Sequence, residues 1–259
     1  MTKTHKDGPI QILGVRVDPV TRQDLEAEIE HLLQTHQKRM LLNVNAHCLN
    51  LAYENVWLRD FLNGVHIVYS DGYGAVLAAR LLGHHVKERI TFGDWTYPLC
   101  DLAARHGYKL FFLGSRQEVA EQAAMRLRKQ FPDLQIVGTH HGYFDKTPGS
   151  PENREVIAKI NAAQPDILFV SFGMPLQEKW LSENWETLDA SIALASGAML
   201  DYASGLLKRP PRWMTNHGLE WLGRLIIEPR RLWKRYLLGV PVFMWRVMLQ
   251  RLGLLRFDD

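Results

Sequence analysis

Short apolar runs alternate with amphipathic helical ones along most of the chain. Residues 10–17 read as a strand. Thr21 with Asp24 makes a capping-box pattern, and Leu25, Ile29, Leu32 and Leu33 recur on one helical face. Residues 40–45 form the next apolar strand, ahead of a helix to about Leu62. Residues 66–70 form a third, ahead of a helix to about Leu82. Residues 108–113, 134–137, 167–171 and 192–195 repeat the theme, each flanked by helical segments. This βαβα rhythm predicts an α/β fold, a Rossmann-like and largely parallel sheet with helices on both faces. Ligands bind such sheets beyond the carboxyl ends of the strands. That directs attention to Asn43 and Asn45, Asp71-Gly72, Gly114-Ser115 and Gly173-Met174-Pro175.

The rhythm stops near Gly205. Residues 208–239 then set a dense group of cations beside Trp and Leu at helical spacing. With Pro229 as first helical position and about 100° per residue, Arg230, Lys234, Arg231 and Arg235 share one arc of roughly 140°. Leu232, Trp233, Tyr236 and Leu237 fill the other, and Gly239 with Pro241 supplies a predicted stop. Two arginines in a first turn oppose the helix dipole at about 0.3–1 kcal/mol each. An anion or a membrane surface accounts for them better than helix stability does. Residues 242–257 are mostly apolar with Arg246, Gln250 and Gly253 on one stripe, which suits an interfacial helix. The chain therefore divides into an α/β core, residues 1–205, and a basic, aromatic helical appendage, residues 206–259.

Charge sharpens that division. The net charge of +3 conceals 11 Lys+Arg against 4 Asp+Glu from Gly205 onward, and 20 against 24 before it. A mildly acidic body thus carries a basic tail, which points to lipid, phosphate or nucleic acid. Apolar residues at 46% and charged ones at 23% exclude disorder, and 259 residues suffice for one good core. Cys48 and Cys100 have no metal or redox spacing and suit a reducing compartment. The N-terminal MTKTHKDGPI has no apolar h-region, so no signal peptide is expected. The longest nearly apolar run, residues 236–245, is about half of the roughly 20 residues that a spanning helix needs. The chain is expected to lie on a membrane, not to cross one.

Several strand ends carry candidate chemistry. Asp71 follows an apolar strand and precedes Gly72-Tyr73-Gly74, a position for a general base or, equally, for a helix cap. Gly72-x-Gly74 lacks the third glycine of a dinucleotide fingerprint, because Leu77 stands there. Asn43 and Asn45 can fix sugar hydroxyls or a carboxylate, or simply form a turn. Arg89 and Asp94 bracket a turn and can reach the same edge or pair with each other. In Gly173-Met174-Pro175-Leu176-Gln177-Glu178, Gln177 is a candidate ligand contact and Glu178 suits the helix dipole. His84-His85 and His140-His141 form no ligand triad, and no HExxH, DxD, G-x-S-x-G or P-loop is present, so no metal or other cofactor is expected.

These residues together resemble the WecG/TagA/CpsF family of bacterial glycosyltransferases. The motifs run in family order: Asn43-x-Asn45, Asp71-Gly72, Arg89 before Gly93-Asp94, Phe112-Leu113-Gly114, Gly142-Tyr143-Phe144 and Gly173-Met174-Pro175-x-Gln177-Glu178-x-Trp180. Arg209-Pro210-Pro211, Gly218-Leu219-Glu220-Trp221-Leu222 with Arg224-Leu225, and Glu228-Pro229 complete them, over roughly residues 10 to 240. The resemblance implies a GT-E fold and a metal-independent, inverting transfer from a UDP-sugar to a polyprenyl-diphosphate-linked saccharide. The setting it implies is the cytoplasmic membrane face, in exopolysaccharide or wall-polymer synthesis. The family's catalytic base falls on Asp71. Its substrate-binding residues fall on Asn43, Asn45, Arg89, Gly114, Tyr143, Gly173, Gln177, Glu178 and Asp201. Its C-terminal arginines fall on Arg224 and Arg231, with Lys234 or Arg235 as the third.

Three departures widen the donor choice. Asn43 stands where the family often has Thr, Ser196-Gly197-Ala198-Met199-Leu200-Asp201 replaces a Gly-Gly-x-Phe-Asp run, and Arg209-Pro210-Pro211 replaces Arg-Ala-Pro. Glucose or another hexose is thus as open as N-acetylmannosamine. Expected partners are the UDP-sugar, the lipid-linked saccharide and anionic lipid, with no nucleic acid; homo-oligomerisation is left open. The alternative is a non-catalytic membrane adaptor or nucleotide-binding protein, with the tail as anchor.

Overall fold

Ile10–Ile12 (β1) and Val15–Val17 (β2) pair antiparallel as a hairpin, where the sequence suggested one strand. Leu13 and Gly14, at φ 51° and 80°, provide the two positive-φ positions of a two-residue hairpin loop, so the apolar run folds back on itself. The computed structural model describes residues 8–257; the N-terminal stretch read as lacking a leader lies largely outside them. Arg39–Val44 (β3), Ile67–Ser70 (β4), Lys109–Gly114 (β5), Gln135–His140 (β6), Ile167–Ser171 (β7) and Ile192–Ala195 (β8) form one sheet in the order β4-β3-β8-β7-β5-β6. The pairs β3–β8, β8–β7, β7–β5 and β5–β6 are all parallel. The fold is α/β, a parallel sheet flanked by helices, as the periodicity implies.

The chain groups into two compact units. One holds the chain up to residue 22 with 43–91 and 209 onward; the other holds 23–42 and 92–208.

In the second unit the central strands bury every residue of Leu110–Leu113, Ile167–Val170 and Ile192–Ala195. Continuous apolar runs are what strands covered on both faces require. The register of β5 with β6 skips Val137, and a Cβ on Gly138 would fall onto the Phe111 ring. That one-residue bulge explains why β6 runs past the apolar stretch that predicted it. Helix Arg22–Gln34 buries Leu25, Ile29 and Leu32, the face the spacing predicts, with Leu33 only half-buried.

In the first unit Asp18 clamps β4, its backbone N–H donating to the Val68 carbonyl at 2.7 Å and its Oδ2 accepting the Val68 N–H at 2.8 Å. The single predicted helix after β3 divides at Asn55 into Ala46–Glu54 and Val56–Gly64. Helix Tyr73–Leu81 follows β4. The tail forms Arg212–Asn216, Glu220–Ile227 and Pro229–Trp233, then a π-helical turn Lys234–Leu238 and the helix Gly239–Arg251. The predicted stop at Gly239 and Pro241 is therefore wrong. The Gly239 N–H reaches back five residues to the Lys234 carbonyl, and this wider turn lets Pro241, which has no N–H, sit in the first turn of the next helix.

The last helix is turned opposite to the usual amphipathic sense. Arg246 donates to Asn50 Oδ1 at 3.0 Å and to Glu54 at 2.7 Å. Gln250 accepts from the Leu13 N–H and donates to the Gln11 carbonyl, both at 2.8 Å. Phe243 and Val247 are buried beside this stripe, while Val242, Trp245, Met248 and Leu252 face out. The polar stripe that sequence alone assigned to an interfacial helix thus grips the body, and apolar side chains form the outer face. Among the described residues no helix is long and apolar enough to cross a membrane.

Candidate active site

β3 and β4 deliver the first cluster. The Asp71 N–H donates to the Val44 carbonyl at 2.8 Å, which sets Asp71 beside Asn45. Asn45 caps helix Ala46–Glu54, its Oδ1 accepting the N–H groups of His47 and Cys48 at 3.1 Å. With its oxygen fixed by those donors, its Nδ2 is left to point at Asp71 Oδ2, 3.5 Å away. Asn45 thus caps the helix, as the turn-forming reading has it, and also faces Asp71. The cap reading of Asp71 fails: Gly72, at φ 82°, occupies the cap position of helix Tyr73–Leu81. Asn43 is buried and lies against the Tyr69 hydroxyl, to which it hydrogen-bonds.

Burial pushes the Asp71 carboxyl up to about 6, and the negative charge of Glu220 adds to the rise. The Asn45 hydrogen bond and the charges of Arg235 and Arg224 oppose it. Among the predicted tail cations, the structure brings Arg224 and Arg235 to this carboxylate. Of Lys234 and Arg235, between which sequence left the third position open, Arg235 is the one that acts on Asp71. Lys234 is exposed and lies over the Trp233 ring, 5.6 Å from its centroid. Arg231 is more than half exposed and pairs with Glu228 at 2.6 Å, and Arg224 meets the same carboxylate at 3.8 Å. The single cationic arc is broken by the π-helical turn, with Arg235 half-buried and Arg230, Arg231 and Lys234 outside. The predicted apolar arc fares similarly, since only Leu232 of its four residues is buried.

Arg89 pairs with Glu220, Nη1 to Oε2 at 2.7 Å, and Arg209 approaches the same carboxylate at 4.0 Å. Asp94 stands in the first turn of helix Phe92–His106, in the other unit. Sequence reasoning quoted Glu220 only as part of a motif and passed over His47. Burial and the nearby Arg235 push the His47 imidazole down to about 4, so it is neutral near pH 7. The one available signal was spacing: Glu220, Arg224 and Glu228 stand four apart on one helical face.

The second cluster lies at the ends of β5, β6, β7 and β8. Gly173, at φ 83°, and Gly197, at φ 56°, both donate their N–H groups to Gln177 Oε1 at 3.2 Å. Gln177 Nε2 donates to Glu178 Oε1 at 2.8 Å. Gln177 and Glu178 are both fully buried. Gln177 therefore ties two loops together instead of presenting its amide outward. Glu178 stands in the first turn of its helix, as the dipole reading has it, and burial pushes its carboxyl up to about 7. Gly114 ends β5 where a Cβ would strike the Ser171 carbonyl. Ser115 next to it donates to Asp201 Oδ1 at 2.7 Å. Tyr143 is 75% exposed beyond β6. No three His, Cys, Asp or Glu side chains group as metal ligands among the described residues.

A carboxylate of raised proton affinity beyond parallel strands, with arginines around it, suits transfer of a group from a phosphorylated donor. The chain belongs to the glycosyl transferase WecG/TagA/CpsF family, whose model matches residues 10–256. It is 27% identical over 242 residues to a Staphylococcus aureus N-acetylglucosaminyldiphosphoundecaprenol N-acetyl-beta-D-mannosaminyltransferase, covering 92% of this chain and 91% of that one. It is 28% identical over 229 residues to the protein of the same description from Bacillus spizizenii, covering 87% and 86%.

Proposed function

We propose that this glycosyltransferase moves a hexose or N-acetylhexosamine from a UDP-sugar, with inversion and without a metal, onto a polyprenyl-diphosphate-linked saccharide. The observation that carries the reading is Asp71, free of capping duty, half-buried and raised to about 6 among Asn45, Arg224 and Arg235. In the proposed step Asp71 accepts the proton of the acceptor hydroxyl as that oxygen bonds to the anomeric carbon. The anomeric bond to UDP breaks on the opposite face and its electron pair leaves with the diphosphate. Arg224 and Arg235 neutralise the growing charge, a contribution of several kcal/mol from fixed cations in a dry site. Arg231 is the remaining candidate, reaching the diphosphate if it lets go of Glu228.

The names of the relatives support N-acetylglucosaminyl-diphospho-undecaprenol as acceptor and N-acetylmannosamine as transferred sugar. Asn43 and the Ser196–Asp201 departures keep glucose in the panel. Asn43, Asn45, Gly114, Tyr143, Gly173 and Asp201 are proposed to shape substrate binding, with Gln177 and Glu178 holding the Gly173 and Gly197 loops in form. The outward Trp245, Met248 and Leu252, with exposed Arg230 and Lys234, support docking on the anionic, cytoplasmic face of the membrane. The test is UDP release from UDP-N-acetylmannosamine, UDP-N-acetylglucosamine and UDP-glucose, each with a polyprenyl-diphosphate-N-acetylglucosamine acceptor. Acceptor-dependent release with one donor supports the reading. No release with any donor returns the adaptor.

A further inference from the structure

We propose that Glu220 is a positioning residue for the transfer: by gripping Arg89 it seats helix Glu220–Ile227 on the Asp71-Gly72-Tyr73 turn and keeps Arg224 and Arg235 in range of Asp71. The inference rests on Asp71 being the base. Four observations within one compact unit carry it.

The Arg89–Glu220 pair joins residues 131 apart in sequence at 2.7 Å, with side chains only 17% and 19% exposed. Breaking a pair so withdrawn from water leaves an uncompensated charge. Gly218 holds φ +75°, and a Cβ there would sit 2.9 Å from the Tyr73 ring, so the backbone just before Glu220 lies directly on that ring. Gly223 is buried against Pro210 and Met214, where a Cβ would come within 2.6 Å of Pro210. Arg209 adds a second cation 4.0 Å from the Glu220 carboxylate. The segment from 209 to 228 is therefore folded on itself, lies on the Asp71 turn at Tyr73, and is ion-paired to Arg89, whose neighbour Ile90 donates its N–H to the Ser70 carbonyl just before Asp71 at 3.3 Å.

The same carboxylate acts a second time through its field. The charged groups around Asp71 are Glu220, Arg224 and Arg235, with Asn45 hydrogen-bonded to it and the Tyr69 hydroxyl nearby; His47 is neutral, and Glu228 balances Arg224 and Arg231. Glu220 alone among these charges favours the protonated base. It offsets the two arginines that the diphosphate needs, so that cations can crowd the site without draining the basicity of Asp71.

The experiment uses the full chain with Glu220→Gln and Glu220→Ala. Tail seating is read by the rate of tryptic cleavage at Arg224. Asp71 is read by the titration of its ¹³C-labelled carboxyl, assigned by its loss in Asp71→Asn. Transfer is read as UDP release from UDP-N-acetylmannosamine with a short-chain polyprenyl-diphosphate-N-acetylglucosamine. Glu220→Gln keeps a hydrogen bond to Arg89, so cleavage at Arg224 stays slow while the Asp71 midpoint falls by about half a unit or more. Glu220→Ala unseats the helix, so cleavage accelerates by about tenfold and transfer falls by roughly tenfold to a hundredfold. An unchanged Asp71 midpoint in the Gln variant, or unchanged cleavage in the Ala variant, overturns the proposal. If Asp71→Asn retains transfer while Glu220→Ala still exposes Arg224, the base reading falls and the seating role stands.

Discussion

Replacing Asp71 with Asn removes the proposed base and leaves its shape, and this substitution is expected to act in opposite directions on rate and on stability. The carboxyl rises from its ordinary 3.8 to about 6, first through burial and then through Glu220. At about 1.36 kcal/mol per unit, that rise is worth about 3 kcal/mol for a group wholly withdrawn from water. Asp71 keeps part of its surface, so about 1–2 kcal/mol is the reasonable figure after screening. The sign follows from which form the fold prefers. A raised folded value means the neutral acid is favoured, so its contribution is present below pH 3.8 and is lost as pH rises through about 6. Above that, the ionised base is held at a cost to stability. Asparagine stays neutral, so the variant should melt roughly 2–6 °C higher than the wild type at pH 7.5. At pH 5, where the unfolded carboxyl is already ionised and the native one mostly protonated, the gain should fall to about half, and it should vanish only below pH 3.8. Turnover should fall by about 10²–10⁴, with UDP binding little changed. The wild-type rate should lose tenfold per pH unit below about 6. UDP-release profiles and melting curves at the two pH values check both halves. Transfer within a few-fold of wild type, or the same melting shift at pH 5 and pH 7.5, would refute the reasoning.

Other consequences are simpler to read. Gln177→Ala leaves the half-buried N–H groups of Gly173 and Gly197 without their acceptor, at about 1 kcal/mol each, so urea unfolding should shift to lower concentration and transfer should fall. Gly218→Ala forces both a positive φ and a contact with the Tyr73 ring; several-fold slower transfer with faster cleavage at Arg224 is expected. Trp245→Glu places a charge on the outward face of the last helix, where the native side chain is 64% exposed; co-sedimentation with phosphatidylglycerol vesicles should drop while transfer to a water-soluble acceptor persists. Chelation with EDTA should leave UDP release unchanged, and a loss restored by added magnesium would reject the metal-independent step.

The sheet was legible because central parallel strands leave a local signature: four to six buried apolar residues bounded by Gly, Asp or Asn. Leu110–Leu113 and Ile167–Val170 needed nothing else. The hairpin at Leu13-Gly14 was missed because a left-handed Leu carries no sequence signal, only a Gly after it. The tail was misread for a different reason. A helical wheel assumes one pitch, and the π-helical turn at Lys234–Leu238 breaks that assumption where the cations lie. Periodicity also says which residues share a face, not which way the face turns, so Arg246 and Gln250 were placed on one stripe correctly and given the wrong neighbour. That Asp71 and Asn45 lie side by side was legible from strand-end position. Glu220 was not, because its partner Arg89 lies 131 residues away, and an acidic residue opening a helix is unremarkable in sequence.

The inward stripe of the last helix decides how the protein can be taken apart. A tail that clung to lipid alone could be cut away to give a clean soluble body. Here deletion would leave the Leu13 N–H without Gln250, Asn50 without the Gly239 carbonyl, and the Phe243 and Val247 seats empty. A shortened chain that loses activity would then report a damaged hairpin and helix as readily as a lost anchor. The proposed membrane docking can be separated from transfer only by changing outward side chains one at a time.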